Sequence, residues 1–139
     1  METKPTYPIT LSGKTYEMRF DIMALTGAQS MLKSLGYPRP TVWTLADAPY
    51  DLGEEVILLQ AGLNGAKRLQ KDRKLYEVSD VQELLQDHFE FIATRLDEEP
   101  DEEEAMKKLQ EEQSEVMKAI AEAVKGAIGF RYKGGRKSQ

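Results

Sequence analysis

The sequence predicts an α+β fold that is mainly α, with an N-terminal β-hairpin packed on a small helical bundle and a long C-terminal helix. Two patterns predict this fold class. Between residues 7 and 20, apolar residues alternate with polar ones, which is the period of a β-strand. From residue 21 to residue 128, apolar residues recur every three or four positions in several segments, which is the period of an α-helix.

The hairpin is predicted from a turn sequence at Gly13 that separates two alternating runs. Glycine supplies the positive φ angle that a tight turn requires. In the second run, Tyr16, Met18 and Phe20 fall on one face of the strand. We therefore expect the rest of the chain to cover this face.

The first helix is predicted over residues 21–35, with Asp21 as its N-cap and Gly36 just beyond its end. After a proline-rich loop, residues 41–48 are expected to form a short helix. This helix carries the single tryptophan, Trp43, which we expect to fill the core.

Two longer helices follow. The segment 51–66 begins with a potential N-cap, Asp51, and is apolar nearly all round, so we expect it to be the central and most buried helix. The segment 79–96 begins with Ser79, and Gln82 three positions later completes the pattern of a capping box.

The remaining chain differs in composition from the first part. We assign residues 1–96 to a compact hairpin-plus-helices domain. Residues 97–139 are predicted to form an acidic boundary, a long amphipathic helix over about 101–128 and a basic, flexible tail.

The composition excludes most common catalytic and metal sites. The chain has no Cys and 1 His, so thiolate chemistry and zinc sites built from Cys or clustered His are excluded. The histidine, His88, falls on the apolar stripe of the helix 79–96, where we expect a structural role. The acidic run 97–104 lacks the central glycine and the ligand spacing of an EF-hand loop. We therefore predict no enzymatic activity, no cofactor and no metal site.

Charge and hydropathy restrict the partners. The chain carries 19 Lys and Arg against 24 Asp and Glu, and this net charge of -5 argues against binding nucleic acid or anionic lipid over the whole surface. The longest apolar run, residues 56–59, is far too short to cross a membrane, and residues 1–9 lack the apolar core of a signal peptide. We therefore expect a cytoplasmic protein with no membrane partner.

The helix 101–128 carries an apolar seam at near-heptad spacing, which is typical of a helix that binds another helix. We predict that this seam binds a partner or a second copy of the chain, through Met106, Leu109, Val116, Met117, Ile120 and Val124. The alternative is that the seam folds back on the helix 79–96 as an antiparallel pair. In that case we expect the binding surface on the first helix, around Met23 and Met31, because methionine adapts to varied apolar partners.

A second pattern concerns nucleic acid. Residues 62–65 read Gly-Leu-Asn-Gly and match the GXXG loop with which KH domains clamp a nucleic-acid backbone. A basic stretch follows, with Lys67, Arg68, Lys71, Arg73 and Lys74. The alternative is a weakened helix end whose cations interact favourably with the helix dipole. We favour the second interpretation, since strands are predicted only in the hairpin and a KH domain needs a three-stranded sheet.

Four segments together resemble a known family. The segment 9–25, which contains Gly13-Lys14-Thr15-Tyr16-Glu17-Met18-Arg19-Phe20 and leads directly into a helix, resembles the start of tail assembly chaperones of long-tailed bacteriophages and related prophages and gene transfer agents. The similarity continues in residues 35–36, 58–63 and 78–85, and it covers about the first 95 residues.

This resemblance implies a non-enzymatic role in the cytoplasm of the host cell. Members of the family keep the long, hydrophobic, helical tape measure protein soluble while tail tube subunits polymerise around it, and they are absent from the mature virion. Many are also made in a longer, frameshifted form whose extra domain recruits the tail tube protein. Two other functions stay open at this stage: a small nucleic-acid-binding regulator that uses the basic stretch, and a self-associating structural virion subunit.

Overall fold

The fold is known from a computed structural model that describes residues 6–38 and 40–129. The predicted basic tail, residues 130–139, lies outside the described residues. The chain forms one hairpin and then helices, which confirms the predicted fold class. The elements are β1 (Tyr7–Leu11), β2 (Lys14–Met18), α1 (Ile22–Ser34), α2 (Val42–Leu45), α3 (Leu52–Leu69), α4 (Val78–Leu96) and α5 (Glu102–Ala127).

The hairpin closes through a two-residue turn. Leu11 pairs with Lys14 in an antiparallel register, and the two residues between them both have positive φ angles, 53° at Ser12 and 77° at Gly13. Positive φ at both central positions is the geometry that matches the twist of a hairpin. One face of the hairpin is buried, as the alternation predicts.

Helix α3 is the central helix, because Leu58 and Leu59 have no exposed surface. The end of the hairpin lies directly on its backbone. The N–H of Arg19 donates to the carbonyl oxygen of Gly62 at 2.9 Å, and a Cβ at Gly65 would overlap the carbonyl oxygen of Arg19. Gly62 and Gly65 therefore allow the hairpin to approach the helix closely.

Side-chain caps position two of the helices where the sequence predicts them. The carboxylate of Asp21 accepts from the N–H of Ala24 at 2.8 Å, and that of Asp51 accepts from the N–H of Glu54 at 2.8 Å. The predicted start of α4 at Ser79 is wrong by two residues at its cap. Glu77 is the N-cap, and its N–H donates to the carboxylate of Asp80, which takes the place expected for Gln82.

Two predictions about single core residues have opposite outcomes. Trp43 does not fill the core, since 61% of its surface is exposed on the short helix α2, while Leu45 two positions later is buried. His88 is a buried structural residue, as predicted. Its Nδ1 accepts from the N–H of Ser12 at 2.9 Å, so it connects α4 to the hairpin turn. Burial lowers the pKa of His88, which favours the neutral ring that this hydrogen bond needs.

The second half of α5 belongs to the core of the whole molecule. Val116, Ile120 and Val124 are buried in the same cluster as Ile9 and Leu11 of the hairpin. The hydrophobic core therefore crosses the predicted boundary at residue 96, and α5 closes over the hairpin and the helices that precede it.

Candidate partner-binding groove

An apolar groove lies between the N-terminal halves of α3 and α4, beside the end of α1. Its volume is about 450 Å³. Its walls carry aliphatic and aromatic side chains, and glutamine amides are its polar groups. The lining residues are Leu35, Leu52, Gly53, Val56, Ile57, Val78, Gln82, Leu85, Gln86 and Phe89.

Large apolar side chains stand open to solvent at the mouth of this groove. Leu35 is 57% exposed and Leu52 is 60% exposed. Met31 lies four residues before Leu35, so it continues the same surface along α1, and it is 41% exposed. Exposed apolar surface that is concentrated around a concavity is typical of a site that binds a partner.

The polar groups at the edge of the groove are held in place. On α4, the Gln86 side chain donates from Nε2 to the Glu90 carboxylate at 2.8 Å. At the start of α3, the hydroxyl of Tyr37 donates to the Asp51 carboxylate at 2.8 Å, and a Cβ at Gly53 would lie 3.4 Å from that carboxylate. These hydrogen bonds place polar groups at the edge of the apolar opening.

The seam predicted on α5 is divided by the structure. Val116, Ile120 and Val124 are buried, Leu109 and Met117 are half-buried, and Met106 is 56% exposed. The prediction that these residues form one open binding surface is wrong for the buried ones, because their side chains already pack in the core. Met23 and Met31 on α1, around which the alternative binding surface is predicted, are exposed.

The loop on which the nucleic-acid alternative depends is absent from residues 62–65. Residues 62–65 lie inside α3 and are buried, so they do not form the exposed GXXG loop that a KH domain uses. The first two cations of the basic stretch are paired, Lys67 with Asp72 at 2.9 Å and Arg68 with Asp21 at 2.9 Å. Lys71, Arg73 and Lys74 are exposed on the connection that follows α3.

Glu55 is an ionisable group inside the protein. It lies on α3 among the residues next to the groove but is only 1% exposed, and neither of its carboxylate oxygens has a hydrogen-bond partner among the described residues. Burial raises the pKa of its carboxyl group to about 7. The group does not line the groove.

Within residues 6–38 and 40–129, no three His, Asp or Glu side chains are placed to hold a metal ion together. In the same part of the chain, no helix has the length and hydropathy needed to cross a membrane. Comparisons with protein-family models, with curated proteins and with solved structures find no match for this chain.

Proposed function

We propose that this protein is a tail assembly chaperone that binds an apolar helical segment of a tape measure protein and keeps it soluble in the host cytoplasm. The observation that carries the proposal is the groove between α3 and α4, with Leu35 and Leu52 more than half exposed at its mouth. A groove of this kind accepts one face of an amphipathic helix, whose large side chains fill the concavity.

The exposed leucines supply a limited part of the apolar binding energy. Covering the exposed parts of Leu35 and Leu52 contributes on the order of 2–4 kcal/mol, and the apolar groove walls add to this. Association also costs free energy through lost rotational and translational freedom. A chaperone has to release its client during assembly, so this function requires only a modest net affinity.

The sequence resemblance supports the same function independently of the groove. Two of the segments that carry it also contribute to the lining, because Leu35 belongs to the segment 35–36, and Val78, Gln82 and Leu85 belong to the segment 78–85. In this proposal the protein needs no catalytic group or cofactor, and it leaves before the virion is complete.

Coexpression with the tape measure protein tests the proposal. We expect the tape measure protein in the supernatant with the wild-type chain, and in the pellet with Leu35→Glu or Leu52→Glu. Met106→Glu is the matched control, because Met106 is 56% exposed, nearly the same as the two leucines, but lies on α5 away from the groove lining. Loss of solubility with Met106→Glu alone, or no protection by the wild-type chain, would refute the proposal.

A further inference from the structure

The charged side chains on the two helix segments that form the groove are acidic. Helix α4 carries acidic side chains and no Lys or Arg from Val78 to Thr94, and its first basic residue is Arg95. Helix α3 likewise carries only acidic charges from Leu52 to Ala66, before Lys67. The two walls of the groove therefore come from helix segments without a positive side chain.

Two acidic groups lie next to residues that line the groove. Glu90 holds the groove-lining amide of Gln86, and Asp51 lies beside the groove-lining Gly53. The nearest cation of α1 in sequence, Lys33, lines a different cavity with Thr26 and Pro40. Glu55 is buried and contributes no charge to the surface.

Helix stability explains only part of this arrangement. Asp51 caps α3, so its negative charge is favourable at the N-terminus of that helix. Glu90 lies in the C-terminal half of α4, where the helix dipole gives a negative charge no benefit. The ion pairs among the described residues leave both carboxylates without a cation: Arg19 and Arg68 with Asp21, Lys67 with Asp72, Arg95 with Glu112, Lys108 with Glu99, and Lys118 with Glu115.

We infer that the groove takes a helix whose apolar stripe is flanked by Lys or Arg, so that these cations lie close to Asp51 and Glu90. The inference rests on the proposed function and names the chemistry of the client segment. Charges at the edge of an interface chiefly determine which partner is chosen and how fast it binds, while the apolar stripe supplies most of the affinity. An acidic helix of the same hydropathy is discriminated against by like-charge repulsion.

Two synthetic helical peptides of about 18 residues test the inference with the full-length protein. Both carry the same leucine stripe, flanked by Lys in one peptide and by Glu in the other. We expect the Lys peptide to bind about tenfold more tightly at about 0.05 M salt, with the preference falling to about twofold at about 0.5 M salt. Equal affinities, a preference for the Glu peptide, or a preference that salt does not change would overturn the inference.

Single variants test whether the preference for the Lys peptide depends on the charge of Glu90. Glu90→Gln retains an acceptor for Gln86 and removes the charge, so we expect the preference at low salt to fall to about threefold with an unchanged melting temperature. Glu115→Gln is the control, since Glu115 lines a separate polar cleft with Arg95 and Lys118 and should leave the preference intact. Binding of both peptides with equal affinity contradicts only the charge inference. Failure of both peptides to bind contradicts the groove as a site and the inference together.

Discussion

A carboxyl group in a hydrophobic core makes folding depend on pH. The pKa of Glu55 is about 7 in the folded protein, against 4.5 for an ordinary glutamate, because burial disfavours the charged form. At pH values between 4.5 and about 7, the native state therefore holds a proton that the unfolded state has already released. Stability contributed by the neutral carboxyl is fully present below pH 4.5 and is lost as the pH rises towards 7.

Replacing Glu55 by glutamine should remove this dependence. We expect Glu55→Gln to be more stable than the wild type by about 2–3 kcal/mol at about pH 8, with a much smaller difference at about pH 5. Urea unfolding at the two pH values measures both differences. His88 has the opposite dependence, since its lowered pKa costs stability as the pH falls, but it is present in both proteins and cancels. A difference that is the same at both pH values would contradict this account.

Two glycines in helices should respond to the same substitution with opposite signs. Gly65→Ala places a methyl group where α3 meets the carbonyl oxygen of Arg19, so we expect a loss of about 1–3 kcal/mol. Gly27 on α1 has nothing within 4 Å of an added Cβ, so Gly27→Ala should stabilise the protein by about 0.5–1 kcal/mol through helix propensity. Thermal unfolding of both variants provides the measurement. A gain from Gly65→Ala would show that the hairpin does not rest on α3.

At the scale of elements, the periodicity of apolar residues was sufficient to predict an element where its apolar face could pack in only one way. The hairpin, the cap at Asp21 and the central position of α3 are confirmed because alternation, capping chemistry and an all-round apolar helix each determine a local structure. The sequence did not separate Leu35 from Leu32, since both fall on the same stripe of α1, yet Leu32 is fully buried and Leu35 is 57% exposed. The groove depends on how three helices meet, which periodicity does not encode.

For the apolar seam of α5, too, the sequence pattern does not determine which residues are buried. An amphipathic helix has the same pattern whether its apolar face packs on its own domain or on a partner. The structure separates the two uses within one helix, because Ile120 is fully buried and Met106 is 56% exposed. Residues at similar heptad positions therefore differ in what they contact.

This division predicts unequal costs of substitution along α5. Ile120→Ala should reduce the free energy of unfolding by about 2–5 kcal/mol, because it leaves a cavity in the core. Met106→Ala should change it by less than about 0.5 kcal/mol. Chemical denaturation of the two variants measures both values. If both substitutions change the free energy of unfolding by equally small amounts, the second half of α5 is not core and is an open binding surface.

At the scale of the whole molecule, the packing of α5 decides whether residues 1–96 are a domain in their own right. The C-terminal part of α5 lies against the first strand, where the absence of a side chain at Gly126 makes room for the ring of Tyr7. Its buried residues share one core with Ile9 and Leu11. Removing α5 would expose this face of the hairpin to water.

We therefore expect a chain that ends at Pro100 to lose the cooperative unfolding transition of the full-length protein, because α5 packs on β1 and α4 and shares one core with Ile9 and Leu11. A chain that ends at Gly129 is the control and should unfold cooperatively, because it keeps all of the described core cluster, including Val124 and Ile128. Scanning calorimetry of the three chains, together with their hydrodynamic size, gives the answer. If the chain ending at Pro100 unfolds cooperatively near the full-length melting temperature, the hairpin and the first helices form an autonomous domain, and α5 is available to other partners after all.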